Sequence, residues 1–184
     1  KCSAASRVLV HKSVKEAFIS RLVSAVKDLQ VGRADEASTF VNPLISAHDQ
    51  ARVRDIVKSA ADEAIRFGGR ILVDRSFEKL PGHCVGPAVV ELPLARAKNP
   101  ESWSQREIFG PVLHVIAYDH LMEAIEIFNS TEYALTGGIF SQSQDDIDFT
   151  LKFIKSGNIY VNRGITGARV AIEPFGGFKM SGTG

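Results

Sequence analysis

Two cysteines, a glutamate before a Gly-Pro turn and a glycine-dense tail are the stretches of this chain with chemistry to offer. Cys2 stands in "KCSAASRVLVH", between Lys1 and the small residues Ser3, Ala4 and Ala5, with Arg7 close by in sequence. A cysteine is a nucleophile only as its thiolate, so a reactive one needs access and surroundings that favour the anion. The small neighbours leave room for a substrate, but a structural thiol ahead of a strand accounts for the same residues. Cys84, in "PGHCVGP", is read as structural. Two cysteines make no disulfide framework and fit a reducing, cytoplasmic compartment.

Glu107 lies in "SQREIFGPVLHV", where a carboxylate, an aromatic (Phe109) and a Gly-Pro turn precede a β-branched run. A carboxylate at a strand entrance can accept hydrogen bonds from sugar hydroxyls, and a nearby ring can pack on a flat heterocycle. Taken in isolation, the segment is better read as a surface glutamate before a core phenylalanine. The tail "NRGITGARVAIEPFGGFKMSGTG" lacks the G-x-G-x-x-G spacing of a nucleotide-phosphate loop. Its glycine amides can instead form a nest for a carboxylate. The five histidines, His11, His48, His83, His114 and His120, show no zinc-type spacing, so no metal site is expected.

These residues need elements to position them. "SRVLVH" (6–11) reads as a strand. Ser13 and Glu16 form a capping-box pattern before a helix over 14–29, with Phe18, Leu22, Val26 and Leu29 on its apolar face. Ser46 caps a second helix, lined by Val53, Val57, Ala60 and Ala64 and stopped by Gly68-Gly69. Strands follow in "RILVD", "AVVEL" and "GPVLHVIAYD". Asp119 opens a helix carrying Leu121, Ile125 and Phe128. "LTGGIFS" is a strand whose Gly137-Gly138 pair implies close backbone approach. A helix over 147–154 and the strand "NIYVN" complete the pattern, and the chain is loop-like from Arg163 onward. Strands alternating with helices predict an α/β fold with a mostly parallel sheet, in one domain.

The composition sets the remaining bounds. With 184 residues, 45% hydrophobic and 23% charged, the chain can bury a core. A net charge of +1 offers no broad basic field for nucleic acid. No apolar run is long enough to span a bilayer. The chain opens without Met and closes on glycine, so an excised piece of a longer protein is expected.

Three motifs in order carry a family resemblance over essentially the whole chain. "KCSAASRVLVH", "EIFGPVL" and "PFGGFKMSGTG" resemble the nucleophile segment, the cofactor-ribose motif and the carboxyl-end motif of the aldehyde dehydrogenase superfamily. "GNIYVNRGITGARVAIEPFGGFKMSGTG" resembles the branch that oxidises glutamate γ-semialdehyde, the 1-pyrroline-5-carboxylate dehydrogenases. These occur as separate enzymes or fused to a proline dehydrogenase. The resemblance implies a three-layer α/β/α catalytic domain, NAD as cofactor, an aldehyde substrate in proline catabolism, and a homo-oligomeric full-length protein. By position, Cys2 is the implied nucleophile. Glu107 and Phe109 are implied at the nicotinamide riboside. Ser3, Gly167 and Ala168 are implied at the substrate's α-carboxylate, and Phe175 at the aldehyde pocket. The cofactor domain, the general base and the C-terminal oligomerisation segment fall outside residues 1–184, so this piece alone is expected to be inactive. Asn42-Pro43-Leu44 and Tyr133-Ala134-Leu135 depart from the family's usual Gly-Pro-Leu and Tyr-Gly-Leu, away from the chemistry. An enzyme for another aldehyde and a non-catalytic relative are the competing readings.

Overall fold

The computed structural model describes residues 1–169 and 171–182. In chain order its elements are β1 (Arg7–His11), α1 (Lys15–Asp28), α2 (Ala47–Arg66), β2 (Arg70–Asp74), β3 (Ala88–Leu92), α3 (Leu94–Ala97), β4 (Val112–Tyr118), α4 (Leu121–Ser130), β5 (Tyr133–Ala134), β6 (Thr136–Ile139), α5 (Gln144–Phe153), β7 (Asn158–Val161) and β8 (Phe178–Lys179). The main sheet has the order β1-β4-β3-β2. β1 and β3 run parallel to β4, while β2 joins β3 antiparallel at the edge. β6 and β7 form a parallel pair, and β5 pairs antiparallel with β8.

The period of two in the strands explains the layers. Along β3, Val89 packs with Val10, Val115, Ile19 and Val26 on the α1 side. Its neighbour Val90 packs with Ala64, Ile116, Ala97 and Ile127, from the helices and strands of the other face. Adjacent residues of a strand point to opposite faces, so both faces must be covered by helices. The result is the expected α/β/α arrangement. The α2 face foreseen from the spacing is fully buried, with Val53, Ala60 and Ala64 at 0% exposure, and Ser46 Oγ accepts the Asp49 N–H as its cap.

The start of α1 differs from expectation. A 3-10 turn, Lys12–Val14, precedes it, and Val14 stands at the N-cap with no side-chain hydrogen bond. The Ser13 hydroxyl is taken by His11 Nδ1 at 2.7 Å, and Glu16 pairs with Lys15 at 3.0 Å, so neither half of the capping box is available. At α4 the pattern forms unforeseen: Glu123 Oε2 accepts the N–H groups of Asp119 and His120. The tail is also not all loop, since β8 docks on β5.

Both glycines of the "LTGGIF" strand sit where a side chain has no room. A Cβ on Gly137 would meet the Phe128 ring at 2.3 Å, and one on Gly138 the Tyr160 carbonyl oxygen at 2.4 Å. The close approach expected there is present. β1 and β6 each have one edge that pairs with no strand among the described residues.

Candidate functional site

Cys2 is exposed in a turn at the mouth of β1. The turn closes with the Ala4 N–H donating to the Lys1 carbonyl. Thr136 Oγ1, at the start of β6, donates to the Ser3 carbonyl at 3.2 Å. The His114 N–H holds the Ser6 carbonyl at 3.0 Å. The next residue, Arg7, is the first of β1 and donates to the carbonyls of Ile127 (2.8 Å) and Phe128 (3.2 Å) at the end of α4. Burial lowers the Arg7 pKa to about 10.

Glu107 enters from the other side. Ile108, not Phe109, is the core residue of its segment, packed with Val53, Val57 and Val112. Arg52 Nη1 fixes the Ile108 carbonyl at 2.8 Å. Phe109 adopts φ 52° and turns its ring outward, 59% exposed. A Cβ on Gly110 would come within 2.9 Å of Val53, so the turn lies flat on α2. Glu107 Oε1 accepts the Phe109 N–H at 3.1 Å, which orients the exposed carboxylate.

Cys2 and Glu107 line one cavity of about 800 Å³, together with Arg7, Thr131, Thr136 and Gly164. Its inner part is apolar and lies between β1 and β6, with Leu9, Ile125 and Ile139 among its walls. Gly167 takes φ +97°, a backbone conformation that favours glycine, and the space nearest its Cα direction holds the Arg163 guanidinium. Ser3, Gly167, Ala168, Phe175 and Phe109 do not line the cavity itself. Phe175 is 52% exposed. Arg163 stacks on Tyr160, its guanidinium 5.0 Å from the ring centre. Arg169 is not a bare loop charge: its backbone N–H and its Nε both donate to Glu173.

Cys84 is 0% exposed, its Sγ donates to the Gly32 carbonyl, and burial raises its pKa. Among the described residues no three His, Cys, Asp or Glu side chains gather as metal ligands, and no helix is long and apolar enough to cross a membrane. His114 is buried in the main sheet with Nε2 unpartnered among the described residues, and burial lowers its pKa to about 4. Periodicity and motif spacing gave no role to Gln105, Ser130, Thr131 or Lys179, which tie the site's segments together. Their contacts are long-range, and the sequence carries no local sign of them.

The donor set fits one end of a nicotinamide dinucleotide. The oriented Glu107 carboxylate can accept two ribose hydroxyls, and the exposed Phe109 ring beside it offers a flat apolar face.

A model of the aldehyde dehydrogenase family matches residues 1–184. A 1-pyrroline-5-carboxylate dehydrogenase of Staphylococcus haemolyticus is 34% identical over 183 residues, covering 100% of this chain and 34% of that protein. The chain thus spans about a third of the length of the curated relatives it matches. Among solved structures, the Thermus 1-pyrroline-5-carboxylate dehydrogenase with bound NAD superposes with a TM-score of 0.85 at 33% identity, over 97% of this chain and 33% of that one. Proline utilization A from Bdellovibrio bacteriovorus superposes with a TM-score of 0.86 at 38% identity, over 100% of this chain and 18% of that one.

Proposed function

The chain belongs to the aldehyde dehydrogenase family, and from that premise we propose that it is the catalytic-domain segment of a protein oxidising glutamate γ-semialdehyde to glutamate with NAD, in proline catabolism. The observation that carries the reading is that Cys2 and Glu107, far apart in sequence, line one cavity. The names of the relatives support the choice of aldehyde.

In this reading the Cys2 thiolate attacks the aldehyde carbon and forms a thiohemiacetal oxyanion. The Cys2 backbone N–H donates to that oxyanion, where preorganised donors count most. Bound NAD supplies the hydride acceptor. Glu107 would accept hydrogen bonds from the hydroxyls of its nicotinamide ribose, and Phe109 would offer its ring to the nicotinamide. The thioester left on Cys2 is then hydrolysed, with the thiolate as leaving group. Ser3 and the amides of Gly167 and Ala168 hold the α-carboxylate, which aims the aldehyde at sulfur. Phe175 borders the aldehyde pocket.

The nucleotide-binding domain and the general base lie outside residues 1–184 in this proposal. Among the described residues β1 and β6 each have one strand edge without a partner, and both line the same cavity, which supports a segment from the rest of the protein lying between them. We place the whole protein in the cytoplasm as a homo-oligomer, either separate or fused to a proline dehydrogenase domain.

The test is an assay of the full-length protein with NAD and pyrroline carboxylate, beside a panel of simple aldehydes and a Cys2→Ala control. Preference for pyrroline carboxylate and loss of activity in the control are expected. Equal rates on simple aldehydes would sink the substrate, and an unchanged control would sink the nucleophile. Turnover by the 184-residue chain alone would refute the domain assignment.

A further inference from the structure

The last carbonyls of a helix have no partner within it and must be met from outside. At the end of α4 they are met by two distant segments and by Ser130 of the helix itself, which a third distant segment holds. Arg7 Nη1 and Nη2 reach the carbonyls of Ile127 and Phe128. Lys179 Nζ reaches the carbonyl of Asn129, and that of Thr131 at 2.6 Å. Gln105 Nε2 donates to Ser130 Oγ at 2.8 Å, and Ser130 Oγ donates on to the Ile127 carbonyl at 2.7 Å. Thr131 Oγ1 returns a hydrogen bond to the Gln105 carbonyl.

Each of these donors belongs to a different part of the site. Arg7 follows the Cys2 turn, Gln105 precedes Glu107 by two residues, and Lys179 lies in the glycine-rich tail. Among the described residues neither Arg7 nor Lys179 has a carboxylate within ion-pair distance. Both cations are therefore committed to the negative end of the helix dipole. Arg7 is half-buried there, at a desolvation cost that an exposed side chain avoids, so its place calls for a use, while Lys179 reaches the same turn from an exposed strand.

We propose that the C-terminal turn of α4 is the alignment hub of the site, with Arg7, Gln105 and Lys179 as positioning residues. Arg7 sets the Cys2 turn, Gln105 the Glu107 carboxylate and Lys179 the substrate-facing tail. The inference rests on the site reading above, but its test does not depend on the identity of the aldehyde.

The experiment compares the full-length protein with Arg7→Met, Gln105→Leu and Lys179→Met. Three readouts are taken: the iodoacetamide alkylation rate of Cys2, followed by peptide mass spectrometry; the Kd for NAD; and the KM for pyrroline carboxylate. Displacement of a site group by about an ångström costs on the order of a hundredfold in rate. We expect shifts of about tenfold or more, divided by segment. Arg7→Met alters alkylation, Gln105→Leu weakens NAD binding, and Lys179→Met raises the KM. The Arg7→Met/Lys179→Met pair falls short of the product of its single effects, because both act on one turn.

Folded variants with all three readouts within twofold of wild type overturn the proposal. So do readouts that fall together in proportion to the folded fraction, which marks a purely structural role. Where a Met variant does not fold, Arg7→Lys and Lys179→Arg replace it. Arg7→Lys keeps the charge but loses the planar fork that spans the Ile127 and Phe128 carbonyls, so an unaltered alkylation rate counts against the hub. A wild-type protein that ignores pyrroline carboxylate defeats the substrate reading, and the alkylation arm still decides this one.

Discussion

Every buried apolar cluster draws its residues from β1–β4, α1–α4 and the segments between them, whereas α5, β6 and β7 contribute to none. The second region is held by backbone contact instead. Gly138 lies against the Tyr160 carbonyl, Gly157 against Gly176, and Gly177 against Ser181. Asn158 Nδ2 reaches the Gly176 carbonyl at 2.8 Å, and Asn162 exchanges hydrogen bonds with Ser141 in both directions. Cys2 and Glu107 thus hang on the packed region, while the glycine-rich tail hangs on the hydrogen-bonded one. The packed region is sensitive to side-chain volume and the other to any atom added between backbones.

The sharpest way to break this contrast is Gly157→Ala. The added Cβ would fall 1.8 Å from the Gly176 carbonyl oxygen, where backbone must move. We expect the full-length protein to lose about a hundredfold in kcat/KM for the aldehyde, with hydrogen-exchange protection of β1, β3 and β4 retained. Next comes the packed side. Leu92, 1% exposed, sits in the cluster with Ile116 and Ile127. Leu92→Ala is expected to cost about 2–5 kcal/mol in urea unfolding, and retained stability would count against a volume-limited core.

A smaller effect separates the two regions by pH. Burial holds the His114 pKa at about 4, below its ordinary 6.5. The unfolded chain therefore takes up the proton first as pH falls. Stability is full above the unfolded value and declines between the two, by up to roughly 1.4 kcal/mol per pH unit. Melting curves at pH 7.5 and 5 should show this, and His114→Leu should flatten the dependence. Least of all, Arg33→Ala removes an ion pair with Asp35 in which both side chains are 66% exposed. No measurable change in melting temperature is expected.

The sequence made the packed region legible and left the other largely dark. Val53, Val57, Ala60 and Ala64 recur at helical spacing because that spacing is what buries them, and β3 and β4 announce themselves by β-branched runs. Gly137 and Gly138 were legible as a close approach because glycine in a strand has few other uses. Cys2, Glu107 and the tail could be nominated through a family resemblance, and the cavity brings the first two together. What stayed hidden depends on tertiary neighbours. Ser13 has the right spacing to cap α1, yet His11 takes its hydroxyl. Phe109 looks like a core aromatic, but Ile108 takes that place and the ring turns out. Nothing local in Arg7, Gln105 or Lys179 indicates that one helix end would collect all three.

The pairing of β1 with β4 also has a consequence in time. Arg7 lies opposite His114 and His11 opposite Tyr118, so the strand beside Cys2 closes a loop of roughly a hundred residues, an entropic cost that local hairpins avoid. Among the described strands β1 finds its partner only once β4 has been made. Mutations that slow the docking of β4 should therefore delay the ordering of the Cys2 turn and leave the thiol exposed to oxidants for longer.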